Sequence, residues 1–314
     1  MITLIQLEYI TALDTYRHFV TASQKCFVTQ PTLSMQIKKL ETDLGVSIFD
    51  RSRQPLITTE IGKKIIEQAR IVLAESKKIE AIITDFSNAI SGELSIGIIP
   101  SLAPYLLPLF IGDFTRKYPD VKVKIQELLT DEIVDHLDKS LIDVGILVTP
   151  LSEKNIIEQP LFYEEMLLYV NKNHPFAIKE NVKTSELASP DLWLLSHGHC
   201  FRSQVINLCS YKANLKEEYH FEYDSGSLET IKKLVEIEGG FTLLPELARE
   251  KETKDSKAIA KHFEKSRPLR EVSFVYHRNY AKKRLLSLLK EGVINAIPEK
   301  MKNKERGQLV EWRN

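Results

Sequence analysis

Residues 93–128 read ELSIGIIPSLAPYLLPLFIGDFTRKYPDVKVKIQEL, and the hydrophobic pattern changes its period twice within this stretch. Together with the residues that follow, it predicts a strand, a helix, a strand, a helix and a strand over Glu93–Ile99, Pro104–Tyr118, Val121–Leu128, Asp131–Ser140 and Ile142–Val148. Strands that alternate with helices form a mainly parallel, open and doubly wound sheet. This stretch therefore predicts an α/β lobe.

A second set of elements follows the first. The predicted strands lie at Met166–Val170, Leu192–Leu195, His220–Tyr223, Gly240–Leu244 and Glu271–Tyr276, with helices at Cys200–Lys212, Leu228–Glu238 and Tyr280–Ile297. We expect two similar α/β lobes over residues 92–300, with a ligand cleft where the strands end. Residues 301–314 form a highly charged tail that we expect to fray.

Towards the amino terminus, residues 60–91 carry a heptad pattern. Its apolar or small positions are Ile65, Ala69, Val72, Ser76, Ile79, Ile83, Phe86 and Ile90. Spacings of four and three over nearly four repeats predict one long helix that pairs with a second copy. The alternative is a monomeric amphipathic helix that packs on its own domain.

Residues 1–59 have the pattern of a small helical unit. A first helix carries Leu4, Leu7, Ile10 and Leu13 at helical spacing, a second spans Phe19–Cys26, and a third spans Thr32–Leu44 and ends at Gly45. A short turn between two helices, with polar residues outside on the second, is typical of a helix-turn-helix that enters a major groove. The alternative is a solvated helical face without DNA.

The candidate DNA contacts follow from this placement. On and just before the third helix they are Gln30, Thr32, Ser34, Gln36 and Lys38. A predicted β-wing after the helix adds Arg51 and Arg53, whose guanidinium groups suit phosphates.

Composition places the chain among ordinary globular proteins. It has 314 residues, 43% of them hydrophobic, and 43 basic residues balance 43 acidic ones, so bulk charge gives no argument for nucleic acid. Three cysteines fit a reducing cytosol. The amino terminus has no signal-peptide pattern, and the uncharged residues 94–112 contain three prolines and fit a buried strand and helix better than a membrane span. We expect a cytoplasmic protein without membrane, metal or cofactor.

Residues 198–209, GHCFRSQVINLC, hold two of the three cysteines. If Cys200 lies in a first helical turn, the helix dipole, His199 and Arg202 lower the pKa of its thiol. Cys209 is nine residues on, roughly 13.5 Å along an intact helix, whereas a disulfide needs Cα atoms within about 7 Å. The helix and a disulfide therefore exclude each other, which predicts a switch. The alternative is a pair of inert buried thiols.

The order of these parts resembles the LysR-type transcriptional regulators over essentially the whole chain. The motifs that carry the resemblance are Ala22, Thr29-Gln30-Pro31-Thr32-Leu33-Ser34, Ile37-Lys38-Lys39-Leu40-Glu41, Leu44-Gly45 and Ile48-Phe49-Asp50-Arg51. The resemblance implies a winged helix-turn-helix domain over residues 1–59, a dimerisation helix over 60–91, and a regulatory domain of two lobes like a periplasmic binding protein. It also implies double-stranded promoter DNA and RNA polymerase as partners, and a homodimer or a homotetramer built as a pair of dimers.

Within that family, the carboxyl-terminal part resembles the OxyR-like peroxide sensors. The residues that match are 198–204 with Cys209, 227–230 and 240–245, and near the first strand 98–101 and 104–108. The resemblance implies hydrogen peroxide as the signal, Cys200 as the peroxidatic cysteine and Cys209 as the resolving one. The pocket positions that it implies are Ser101, Thr130, His199, Arg202, Ser203 and Arg270.

Two pocket positions depart from that pattern. Ser203 stands where the group commonly has an aspartate linked to disulfide formation, which bears on the speed of the switch, because a serine is not a base near neutral pH. Ser101 replaces a usual threonine and keeps the hydroxyl group.

Three functions are consistent with these patterns. The first is a regulator of oxidative-stress genes that hydrogen peroxide switches through a reversible Cys200–Cys209 disulfide. The second is a regulator that responds to a small molecule in the cleft between the lobes, with incidental cysteines. The third is a thiol peroxidase that uses the same two cysteines. In such an enzyme the DNA-binding part would have no role, so we expect a regulator and not an enzyme.

Overall fold

The computed structural model of the chain describes residues 1–53, 55–86, 90–180, 182–209, 226–250, 253, 255–263, 267–280 and 282–312. Internal contacts divide the chain into two compact units. The first comprises residues 1–90 with 138–141 and 279–284, and the second comprises residues 91–137, 142–278 and 285–314.

The first unit is a helical domain with a small hairpin. Its elements are α1 (Leu4–Tyr16), α2 (Phe19–Lys25), α3 (Gln30–Leu44), β1 (Phe49–Asp50), β2 (Ile57–Thr58) and α4 (Glu60–Phe86). The third helix begins two residues before its predicted start because the Thr29 side chain caps it, accepting a hydrogen bond from Thr32 N at 3.4 Å. It ends at Gly45, whose φ of 69° is left-handed as a C-terminal cap requires.

A single apolar core holds these helices together. Its fully buried members include Ile10, Leu13, Leu33, Ile37 and Leu40. Three of them lie at positions i, i+4 and i+7 of α3, so this helix buries one stripe and turns its polar residues outward.

The long helix α4 changes character along its length. Ile66 and Ala69 pack on the core of the first unit, whereas Val72 is 37% exposed and Ile79 is 64% exposed. The predicted helix is present over Glu60–Phe86, and beyond Leu73, which still packs on the core, Ile79 and Ile82 are exposed. The side chains of Ile83 and Phe86 fall outside the described residues.

The rest of the chain forms the α/β part. Its elements are β3 (Gly92–Ile98), α5 (Ala103–Lys117), β4 (Val121–Glu127), α6 (Thr130–Asp138), β5 (Val144–Thr149), β6 (Ile156–Asn171), α7 (Pro175–Ile178), α8 (Cys200–Cys209), α9 (Leu228–Glu238), β7 (Phe241–Pro245), β8 (Ala258–Lys261), β9 (Pro268–His277), α10 (Lys283–Ala296) and β10 (Gln308–Leu309).

The sheet is mixed, so the prediction of a mainly parallel sheet is wrong, while the two-lobe α/β class is confirmed. The strand order is β4-β3-β5-β9-β6-β7, with β3 parallel to β4 and β5. The reversal comes from β6 and β9, two long strands that pair antiparallel over nine residue pairs and also pair with strands on either side. Local patterns predict most of these strands but miss β8, β10 and the first ten residues of β6, and they carry no information on the direction of a strand in the sheet.

Three predicted elements differ from the structure or lie outside it. Among the described residues, the predicted strand at Leu192–Leu195 is reduced to an isolated bridge from Leu192 to Phe241. The predicted strand at His220–Tyr223 and the last residues of the predicted helix at Cys200–Lys212 lie outside the described residues.

Candidate redox-active thiol site

Helix α8 carries both cysteines. It begins at Cys200, as predicted, and Cys209 is the last of its residues that the structure describes. Both are free thiols, with exposures of 3% and 2%. A helix of this length holds the two residues roughly 13.5 Å apart along its axis, so the observed fold excludes a disulfide between them. The structure is therefore that of the dithiol form.

Four helices of the α/β part begin around the Cys200 thiol. Cys200 is the first residue of α8, Thr130 is the first residue of α6, and Ser101 lies two residues before the start of α5. The turn before α9 lies close to His199, the residue that precedes Cys200. A Cβ atom built on Gly226 in this turn would lie 3.7 Å from His199 Nε2. Helix amino termini carry partial positive charge, so this arrangement favours an anion such as a thiolate.

Arg270 supplies a full positive charge to the site. It is fully buried on β9, and its Nη1 donates to Ser101 Oγ at 3.0 Å while Nη2 donates to the Ser101 carbonyl at 3.1 Å. The guanidinium Cζ lies 5.2 Å from the centre of the Phe201 ring. The predicted pocket residues Ser101, Thr130, Cys200 and Arg270 are thus brought together from four separate elements.

The pKa of the Cys200 thiol is raised, contrary to the expectation from its position at a helix start. Burial raises the pKa most, whereas the Thr130 hydroxyl, the Arg270 charge and the Phe201 backbone N–H lower it. The resting thiol is therefore protonated at neutral pH. Burial decides the direction, and the sequence does not reveal burial of this depth.

Thr130 is the group with spare hydrogen-bonding capacity. Its Oγ1 is buried and makes no hydrogen bond of ordinary geometry with any described residue, although it acts on the pKa of Cys200 and so lies beside the sulfur. A buried polar atom without a partner is costly unless a ligand satisfies it. The Thr130 hydroxyl is therefore suited to a small polar molecule next to the thiol.

The other three predicted pocket residues have different surroundings. His199 is buried beside Gly226. Arg202 donates from Nη1 to the Leu195 carbonyl at 2.8 Å, so it holds the loop before α8, and the guanidinium that acts on Cys200 belongs to Arg270. Ser203 lies on a half-buried face of α8.

Sequence reasoning missed Glu164, the partner of Arg270. Glu164 is fully buried on β6, and its Oε2 accepts a hydrogen bond from Arg270 Nε at 2.8 Å. Burial raises the pKa of Glu164, while Arg270 and the Leu247 N–H oppose that rise. An available signal is the pair of glutamates within the apolar run FYEEMLLYV, because a charge inside a buried strand needs a partner.

The carboxyl-terminal tail is held on α8, so the expectation that it frays is wrong for residues up to 312. Strand β10 pairs in parallel with the start of β9. Beyond it, Gln204 Nε2 donates to the Val310 carbonyl at 2.8 Å and Asn207 Nδ2 donates to the Glu311 carbonyl at 2.9 Å. The redox helix and the tail therefore share hydrogen bonds.

A polar clamp joins α5 to α9 beside the site. Tyr105 Oη donates to Glu229 Oε1 at 2.5 Å, and Lys232, which is 4% exposed, donates to both Glu229 oxygens at 3.0 and 3.2 Å. Because α5 follows β3 in the first lobe and α9 precedes β7 in the second, the clamp connects the two lobes.

The predicted DNA contacts are arranged on the outside of the first unit. Thr32, Ser34 and Gln36 are partly exposed on α3, and Gln30 and Lys38 are exposed. In the hairpin, Arg51 Nη2 donates to Glu41 Oε2 at 2.8 Å, so it braces the wing. Arg53, 68% exposed and 3.5 Å from Asp50, is the freer of the two guanidinium groups.

Two tests for other kinds of site are negative within the part of the chain that the structure describes. No helix there combines the length and apolar character that crossing a membrane requires. No group of three or more histidine, cysteine, aspartate or glutamate side chains among the described residues could hold a metal ion.

Comparison with known proteins identifies both parts of the chain. Residues 4–63 match the bacterial regulatory helix-turn-helix protein, lysR family, and residues 87–293 match the LysR substrate binding domain. The DNA-binding transcriptional dual regulator OxyR of Escherichia coli (strain K12) is 38% identical over 270 residues, which cover 86% of this chain and 88% of that protein.

Two solved structures are similar over nearly the full length. Full-length OxyR from Pseudomonas aeruginosa superposes with a TM-score of 0.78 at 30% identity, covering 94% of this chain and 98% of that one. A hydrogen peroxide-bound cysteine mutant of OxyR from Corynebacterium glutamicum has a TM-score of 0.60 at 28% identity, covering 94% and 92%.

Proposed function

Because the chain belongs to the LysR family of DNA-binding transcriptional regulators, which are not enzymes, we propose that it regulates oxidative-stress genes in response to hydrogen peroxide. Its switch is a reversible disulfide between Cys200 and Cys209. The observation that carries the proposal is that the two thiols lie nine residues apart on one helix, with Cys200 next to Arg270 and the Thr130 hydroxyl. The hydrogen peroxide-bound relative supports the choice of signal.

The first step is oxidation of Cys200. Peroxide accepts hydrogen bonds from Arg270 or Thr130, and the Cys200 thiolate attacks one peroxide oxygen. The S–O bond forms as the O–O bond breaks, and the leaving hydroxide takes up the proton that the thiol gave up. The products are a sulfenic acid at Cys200 and one water molecule.

The second step joins the two sulfurs. The Cys209 sulfur attacks the sulfenic sulfur, and the hydroxyl group leaves as water, which gives the disulfide. Since α8 holds the two residues too far apart, the helix must unwind first. Reduction of the disulfide by a cellular dithiol allows the helix to reform.

The disulfide step is expected to speed up with pH through Cys209. Burial raises the pKa of Cys209 to about 12, so the folded helix is stabilised below the ordinary cysteine pKa of about 8.5 and loses that stability as pH rises above it. Since attack needs the unwound chain with an ionised Cys209, its rate should rise roughly tenfold per pH unit and keep rising above about 8.5, for as long as the wound helix with a protonated Cys209 is the main form.

Rapid-mixing kinetics of the disulfide phase, with the preceding sulfenic phase as a reference, measure this dependence. The Cys209→Ser variant should show the first phase and lack the second. A rate that does not change with pH would contradict attack by an ionised Cys209 from the unwound chain.

Oxidation is also expected to release the tail. Unwinding of α8 removes Gln204 and Asn207 from the Val310 and Glu311 carbonyls. Trp312, one of only two tryptophans, should then become more exposed and its fluorescence should shift to longer wavelength. The measurement needs a Trp193→Phe background, and its control is the same protein with Cys209→Ser. A shift that persists in that control would contradict release by the disulfide.

Assembly and DNA binding use the first unit. The partly exposed Val72 and the exposed Ile79 on α4 suit pairing of two such helices, which gives a homodimer, and two dimers give a homotetramer. We propose promoter DNA as the target of α3, with Arg53 and Lys38 near phosphates, and RNA polymerase as the downstream partner. A regulator of this kind acts in the cytoplasm.

A DNA footprint of the reduced and the peroxide-treated protein tests the proposal. We expect the protected region to differ between the two states, because repacking of the oxidised domain changes the spacing of the paired helices. An identical footprint would favour regulation by a small molecule in the cleft.

A further inference from the structure

Glu164 contacts Arg270 of the thiol site, and both of its carboxylate oxygens accept hydrogen bonds. It is fully buried and directly opposite Arg270 in the pairing of β6 with β9. Its Oε2 accepts from Arg270 Nε at 2.8 Å and lies 2.7 Å from Nη2, and its Oε1 accepts from Leu247 N at 2.7 Å. The carboxylate is therefore fixed from two sides.

The geometry of Arg270 shows what this fixation does. A guanidinium has five N–H groups in a rigid plane. Nε donates to Glu164, and Nη2 contacts Glu164 and donates to the Ser101 carbonyl. Nη1 donates one of its two hydrogens to Ser101 Oγ. The second Nη1 hydrogen has no acceptor among the described residues. With the Phe201 ring against the guanidinium, Glu164 determines where that hydrogen and the positive charge are presented.

We propose that Glu164 is a positioning residue that sets the rate at which Cys200 reacts with peroxide, by orienting the Arg270 guanidinium and by offsetting part of its charge. This inference rests on the proposed function of Cys200. The two effects oppose each other. Orientation speeds the reaction, because the donor is held in place before peroxide arrives, whereas charge compensation slows it, because less positive charge is left to stabilise the thiolate.

Other ionisable groups surround the same pair and stay unchanged in the test. They are Tyr105 on α5, Glu229 on α9, Glu246 after β7, and His199 and Arg202 next to Cys200. Tyr105 is influenced by both Arg270 and Glu164, which places it near the pair, and burial with the Glu229 hydrogen bond raises its pKa. A change made at Glu164 alone therefore isolates the contribution of its charge.

Two variants separate charge from position. Both are measured in full-length protein with Cys209→Ser, so that only sulfenic acid formation by hydrogen peroxide is followed, from pH 6 to about 11, because the pKa of the Cys200 thiol is raised. Glu164→Gln keeps the length and removes the charge, so the midpoint of the pH–rate profile should fall by about one unit, with a reaction about tenfold faster on its acidic side. Glu164→Asp keeps the negative charge in the site but is too short to hold Arg270 in place, so the rate should fall about tenfold or more, with a midpoint that moves much less than in Glu164→Gln.

Glu158→Gln is the matched control. It makes the same charge change on the same strand, at a carboxylate that caps Leu151 N and Ser152 N at 2.9 and 3.2 Å. Its profile should equal that of the parent protein.

Several results would overturn the proposal. One is a folded Glu164→Gln variant with an unmoved midpoint, and another is equal slowing by both substitutions without a shift, which indicates a structural role only. If Glu164→Gln does not fold, a Glu164→Asp variant that reacts like the parent still overturns it. Failure of the parent protein to form a sulfenic acid at Cys200 would refute the proposed function instead.

Discussion

Replacement of Cys200 by serine is expected to abolish the change in DNA footprint on peroxide treatment while the reduced protein keeps its affinity for DNA. Serine is close to cysteine in size and keeps a hydroxyl for hydrogen bonds in a site that is only 3% exposed, so the fold should persist. It cannot form a sulfenic acid, so neither oxidation step takes place. Loss of the response should be complete at any peroxide concentration that fully converts the wild-type protein.

The control for this experiment is Cys26→Ser. Cys26 is the third cysteine and is half-buried at the end of α2, where burial raises the pKa of its thiol. The site geometry gives it no part in the chemistry, so Cys26→Ser should respond to peroxide like the wild type. A peroxide response that survives Cys200→Ser would show that this thiol is not the sensor, and regulation by a small molecule would then be the better explanation.

Much of the fold follows from local patterns in the sequence. Helix α9 has the predicted bounds, Leu228–Glu238, because Ser227 caps its start and a glycine follows its end. Strand β10 was missed because its pairing with β9 joins residues that are forty apart in the sequence, and two residues give no periodicity. Prediction therefore works where the signal lies within one helix or strand.

The candidate site shows the same division. The start of α8 at Cys200 follows from its local sequence, and the resemblance to peroxide sensors supplies Ser101, Thr130 and Arg270. The ion pair with Glu164 spans 106 residues and depends on the register of two antiparallel strands. The raised pKa of Cys200 depends on burial by four elements, so a reading of its helix position alone gives the wrong direction.

Arg270→Met is expected to lower the free energy of unfolding by about 3–5 kcal/mol, because it leaves a fully buried Glu164 carboxylate without its cation. The loss of stability comes mainly from the Glu164 carboxylate, which is left buried without a cation. Lost packing contributes little, since methionine fills much of the same volume. Urea unfolding of the full-length protein, followed by its tryptophan fluorescence, measures it. The same substitution should also slow sulfenic acid formation, since the thiolate loses its nearest full charge.

The double variant Arg270→Met with Glu164→Gln separates stability from reactivity. With no charge left buried, at least half of the lost stability should return, while the reaction of Cys200 with peroxide stays slow because the guanidinium is still missing. Glu164→Gln alone completes the cycle. If the double variant regains peroxide reactivity together with stability, Arg270 acts only as a structural ion-pair partner. If the double variant regains neither stability nor reactivity, Arg270 stabilises the fold through its two hydrogen bonds to Ser101 and not through Glu164. The Glu164→Gln substitution cannot restore those two hydrogen bonds.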